Sequence, residues 1–151
     1  MARFRYGLQN ILDIKNKMET QARQEFAQAR QALDEEEEKK RKLLEERIML
    51  ENQAAMLLNG KLNLRDIEDN QLSRMLCDQR IEEQTKQVKR AEAVLEAARE
   101  QLEGAVQERK IYEKLKEKAF DEFRIEENRA ESKVIDELTT YVHGRKNQND
   151  D

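Results

Sequence analysis

The chain has 151 residues, of which 29 are Lys or Arg and 33 Asp or Glu, for a net charge of -4; 37% are hydrophobic and 5% aromatic. That apolar share, much of it alanine, is too small to wall in a globular core at this length, so an extended all-helical shape is expected. The two signs of charge nearly balance and alternate closely. This excludes both a polycation for nucleic acid and an acidic solvating tail.

No residue is proline and only four are glycine, where average usage would place roughly seven prolines. Proline removes a backbone donor and clashes with the preceding turn, so a chain without it can keep helices unbroken over long stretches. Cys77, the single cysteine, excludes a disulfide framework and offers no zinc cluster, in keeping with a reducing compartment. Met1-Ala-Arg-Phe-Arg5 resembles the start of a secretory leader, but Asp13 and Lys15 interrupt the apolar run. No later stretch reaches the roughly 20 apolar residues of a membrane span, and a cytosolic location is expected.

From Phe4 the apolar and small residues recur at Leu8, Ile11, Leu12, Met18, Ala22, Phe26, Ala29 and Leu33, the spacing of one helical face. A first long helix is expected over 1–58. Its face meets a block with no apolar residue, 34–42, in which Glu35 and Lys39, Glu36 and Lys40, Glu37 and Arg41, and Glu38 and Lys42 stand four apart with the acid first. That order supports the helix, which is expected to cross the block as a solvated stretch. Leu43, Leu44, Ile48, Leu50, Ala54, Leu57 and Leu58 restore the face up to Asn59 and Gly60, where glycine suits a helix end. A turn is expected over 59–66, with Asp66 as the cap of the second helix.

The second helix, expected over 67–143, carries the strictest repeat. Ile81, Val88, Leu95 and Leu102 stand seven apart, as do Ala91, Ala98, Ala105, Tyr112 and Ala119 on a line offset by three, which gives the two inner positions of a heptad. A turn between the helices makes them antiparallel, with facing residues whose numbers sum to about 123 to 125. At that register Leu33 meets Ala91, Ala29 meets Leu95, Phe26 meets Ala98 and Ala22 meets Leu102, large against small, as interdigitated packing requires. The fold class read from the sequence is therefore an all-α, long antiparallel two-helix coiled-coil hairpin. Gly104, inside the second helix, is a candidate for close helix approach. About 20 residues of the second helix should project past the first, with Phe123, Ala130, Val134, Leu138 and Tyr141 as an apolar stripe and docking candidate, and 144–151 as a disordered tail.

Catalytic constellations are missing. There is no metal motif, no phosphate-binding glycine loop and no nucleophile with a nearby base; the lone histidine, His143, has no ligand or catalytic partner in sequence. No enzymatic activity and no cofactor are expected. Residues 1–17 and 108–124 together hold ten cations against six acids, which makes the open end of the hairpin basic and suited to an acidic partner.

The segment Phe4-Arg-Tyr-Gly-Leu-Gln-Asn-Ile-Leu-Asp-Ile-Lys15, followed by Glu19, Ala22, Glu25-Phe-Ala27 and Leu33, resembles the opening helix of the FliJ family of flagellar export proteins. Glu108-Arg-Lys-Ile-Tyr-Glu-Lys-Leu-Lys-Glu-Lys118, then Glu126-Glu127, Lys133 and Asp136-Glu137, continue the likeness over nearly the whole chain. Gly7 departs from it, standing where the family often has a bulky or charged residue. The resemblance implies a coiled coil similar to the central stalk of rotary ATPases, which enters the hexameric export ATPase ring and links it to the export gate in the membrane. Export chaperones would be further partners, and the location would be the cytoplasmic face of the membrane. Carried onto matching positions, the contacts nearest the ATPase would be Phe4, Arg5, Leu8 and Lys15 with Glu108, Arg109, Lys110, Glu113 and Lys116; Phe123 and Tyr141 join them from the apolar stripe. Two other readings stay open: a stalk of an injectisome-type secretion system, and a cytoskeletal or division coiled coil that works by self-association.

Overall fold

The computed structural model describes residues 2–149, and among these it contains two α-helices and no strand: α1, Gln9–Leu57, of 49 residues, and α2, Leu64–Asn149, of 86. They pack against each other as an antiparallel hairpin. The hairpin divides into two compact units, one built from the turn and residues 20–104, the other from the residues up to Glu19 and those from Ala105 onward.

In the turn unit, the inward residues of α1 are Ala22, Phe26, Ala29, Leu33, Glu36, Lys40, Leu43, Arg47, Leu50, Ala54 and Leu57. Those of α2 are Ile67, Asn70, Arg74, Cys77, Ile81, Gln84, Val88, Ala91, Leu95, Ala98 and Leu102. Both sets alternate three and four residues apart without a break. This is the heptad seam expected of α2, and it continues through α1's charged block. The helix crosses that block as expected, with seven of its nine residues exposed, but Glu36 and Lys40 are half-buried on the seam.

Glu36 stays because it has a partner across the hairpin. The Gln84 amide donates to the Glu36 backbone carbonyl at 2.9 Å and to its carboxylate. That bond, aided by Lys39, holds the Glu36 carboxyl below the usual carboxylate range. The intrahelical ion pairs also differ from the expected set: Glu36 pairs with Lys39, and Arg41 pairs with both Glu38 and Glu45. The long arginine reaches one turn in both directions, which uses its forked donors more fully than single four-apart pairs would.

Other polar seam residues are matched across the hairpin in the same way. Asn70, 4% exposed, donates to the Leu50 carbonyl and to Gln53, each at 3.0 Å, and accepts from Arg74 at 2.9 Å. Arg47 reaches Asp78 at 2.6 Å and lies 3.2 Å from Glu51. Cys77 is 2% exposed, its thiol pushed up by burial and directed at the Leu43 carbonyl. The cross-hairpin pairs Arg47 with Asp78 and Gln53 with Asn70 have residue numbers that sum to 125 and 123, the register read from size matching.

The helix ends differ from expectation. Residues 2–6 are not helical, and α1 begins only at Gln9, whose N–H donates to the Tyr6 carbonyl at 3.1 Å across a turn that contains Gly7. The hairpin turn lies at 58–63 and is closed by Gly60 at φ 87°, a conformation that glycine adopts without steric cost. The cap of α2 is Asn63: its side-chain oxygen accepts from the N–H groups of Arg65 at 3.1 Å and Asp66 at 3.5 Å. Asp66 sits instead in the first turn, where its charge favours the helix dipole. Helix α2 also runs past Gly144 to Asn149, where a tail was expected from 144; residues 150 and 151 lie outside the described residues.

Gly104 does not serve a close approach, since a Cβ there would meet nothing within 4 Å. Gly104→Ala should therefore stabilise the chain by about 1 kcal/mol through helix propensity alone, read as a rise in the thermal midpoint. The register has its own check. With Cys77 replaced by alanine, cysteines at Phe26 and Ala98 should form an intrachain disulfide under mild oxidation, seen as faster migration on a non-reducing gel with no dimer band.

Candidate interaction surface

In the unit at the open end, α1 contributes Leu12, Lys15 and Glu19 to the interface and α2 contributes Ala105, Arg109, Tyr112, Lys116, Ala119 and Phe123. Leu12 is 4% exposed and Glu19 6%. Where α1 stops, the extended N-terminal segment takes over its place against α2. The Phe4 ring packs edge-on against Phe120 at 5.2 Å between centroids and tilted against Phe123 at 5.5 Å. The Tyr6 hydroxyl donates to the Tyr112 carbonyl at 3.2 Å. Ala2 lines a shallow groove with Glu127, Ala130, Glu131, Val134 and Ile135.

This strap explains what the sequence could not show about Phe4. Its spacing to Leu8 fits a helical stripe, but Gly7 weakens the helix there, and the aromatic pair Phe120 and Phe123 offers the ring a better place in an extended chain. A second groove, of 510 Å³, opens beside the strap between Phe4, Gln9, Leu12 and Asn16 on one side and Glu113, Lys116, Glu117 and Phe120 on the other.

The charged residues singled out from the sequence divide into two groups. The first group holds the hairpin together. Lys15 Nζ lies 2.7 Å from Glu108 and 5.9 Å over the Tyr112 ring, and the hydrogen bond to Glu108 raises the ammonium above its ordinary value. Arg109 bonds Glu113 at 2.6 Å and also the Glu19 carboxylate, and these two contacts push its guanidinium up in the same order. The second group, Arg5 and Lys110, faces solvent, as does the apolar Leu8 at 38% exposure. Lys116 and Phe123 are half-buried.

Beyond Glu127, every described residue of α2 is exposed. Val134 at 54%, Leu138 at 59% and Tyr141 at 64% form the projecting apolar stripe expected there. No group of three or more potential metal-ligating side chains occurs among the described residues, and none of their helices is long and apolar enough to cross a membrane.

The two cross-hairpin ion pairs of this unit, Lys15 with Glu108 and Arg109 with Glu19, differ in burial. Glu108 is half exposed and Glu19 nearly buried, so loss of the cation opposite each has unequal cost. Arg109→Ala should lower the urea midpoint at least about twice as far as Lys15→Ala, and Glu19→Leu combined with Arg109→Leu should recover most of the loss. Equal effects of the two alanine substitutions would show that burial of the pair carries no weight.

A model of the flagellar FliJ protein family matches residues 4–148 of this chain. No curated protein sequence matches it. Among solved structures, that of CT670 from Chlamydia trachomatis, described as a YscO homolog, is similar at a TM-score of 0.55 and 24% identity, over 97% of this chain and 99% of that one. The likeness is one of fold. By a match that spans both helices and the strap from Phe4 onward, the chain belongs to the flagellar FliJ protein family, which ties it to type III export.

Proposed function

We propose that this protein is a non-enzymatic accessory of flagellar type III export, which binds the hexameric export ATPase as a stalk-like coiled coil and links it to the export gate. The observation that carries this reading is the family match over residues 4–148. The unit at the open end supports it physically. It presents an aromatic strap, solvent-facing Arg5 and Lys110, and an exposed stripe through Tyr141, features that suit a protein surface rather than a small substrate. Lys15, Glu108, Arg109 and Glu113 act in this reading chiefly by fixing the shape of that end. Phe4, Arg5, Leu8, Lys110, Lys116, Phe123 and Tyr141 would meet the ring. Export chaperones would be further partners, and the protein would work on the cytoplasmic side of the membrane as a monomer before it assembles.

A second reading, an accessory of injectisome-type secretion, is favoured by one observation, the fold shared with the YscO homolog. The two separate by partner: the chain should co-purify with the flagellar ATPase of its own cell and not with an injectisome ATPase. Native mass measurement of the complex should give one chain per hexameric ring. A chain that stays separate from a ring known to be hexameric would overturn the proposal, and a concentration-dependent dimer or filament in sedimentation would support the self-association reading instead.

A further inference from the structure

The groove beside the strap reports which residues of the two helices share a side. Gln9, Asn16, Glu113 and Phe120 line it together, and three of them directly follow the interface residues Lys15, Tyr112 and Ala119. In an antiparallel pair, residues that directly precede interface residues turn to the opposite side on both helices. At the open end these are Ile11, Ile14 and Met18 on α1 and Ile111 and Leu115 on α2. All five are exposed: 37%, 54%, 48%, 56% and 43%.

Five large aliphatic side chains on one solvent face of a two-helix unit form a stripe over about two turns of α1 and one of α2, on either side of the furrow between the helices. The hairpin interface does not use them. The equivalent positions in the turn unit carry charged and polar groups among their apolar ones, such as Glu46, Gln53, Asp69 and Arg80.

The charges beside the stripe that are not held in ion pairs are of one sign. Lys17 lies beside Met18, Lys114 beside Leu115, and Lys118 precedes the interface residue Ala119; all three are exposed and, among the described residues, make no ion pair. Glu108 on the same side is taken up by Lys15. The next acid of α2 on this side beyond Leu115 is Glu122, about two turns farther along.

We infer that this face is a docking site for an amphipathic helix of another protein, one with aliphatic residues at three- and four-residue spacing and acidic flanks. The helix would lie over the furrow and complete a local three-helix packing. A second copy is the wrong occupant, because a two-fold pairing of this face would bring the three lysines of one chain near those of the other. Docking here goes beyond the proposed function and does not depend on the ATPase, since it can be tested with the purified chain alone.

The probe is a fluorescent 15-residue helical peptide with leucines at three- and four-residue spacing flanked by glutamates. Its counterpart has the same leucines flanked by lysines. Anisotropy titrations of the full chain should show the acidic peptide binding at least tenfold tighter than the basic one, with affinity that falls as salt rises. Ile14→Asp and Ile111→Asp, at exposed positions where helical circular dichroism should be unchanged, should each weaken binding about tenfold or more. Leu72→Asp, at an exposed position in the turn unit, should leave it unaltered. Equal binding of the two peptides, or binding indifferent to Ile14→Asp and Ile111→Asp, overturns the inference. So does a concentration-dependent dimer of the chain that Ile14→Asp abolishes, which would make the occupant a second copy.

Discussion

Everything in this protein depends on one regularity, the uninterrupted alternation of three- and four-residue steps along the inward face of both helices. It keeps two helices in contact although alanine supplies much of the inward apolar surface. An interface of this kind gains less from burial per residue than a leucine-rich one. The balance is met by polar groups that reach across the hairpin at fixed heights: Asn70 to the Leu50 carbonyl, Gln84 to Glu36, Arg47 to Asp78, Arg109 to Glu19. Each is half-buried or more on at least one side, and the three side-chain partners, Glu36, Asp78 and Glu19, stand opposite only at this register.

The second helix was legible in the sequence because its inner lines are apolar, and hydrophobic periodicity is the signal that a sequence displays most openly. The first helix was only partly legible for the converse reason. Its inner line passes through Lys15, Glu19, Glu36, Lys40 and Arg47, and a charged residue on a seam looks in sequence like a charged residue in water. Outward residues such as Ile11 and Met18 were counted into the stripe, because a face inferred from apolar letters alone drifts toward whatever apolar letters exist. The hairpin register, by contrast, came through, since large-against-small matching draws on many positions together.

The ends were hardest to read. Asp66 and Asn63 both have the chemistry of a cap, and only the backbone donors of Arg65 and Asp66 decide between them. The strap could be found from sequence only as a departure, the glycine at position 7. The partners of Phe4 lie more than a hundred residues away. Of the candidate site residues, Lys15 and Arg109 on the seam, with their partners Glu108 and Glu113, are internal ties, and no local run of letters separates them from Lys110 beside them.

Asn70 has one more effect. Its buried amide has both donors and acceptor occupied within its own hairpin, and an unpaired buried polar group costs roughly 1 to 3 kcal/mol. A foreign helix with an aliphatic residue in place of Gln53 would leave one donor of this amide without its partner. The hairpin is thereby insulated from other coiled coils in a crowded cell, and its helices are biased to remain with each other rather than trade partners.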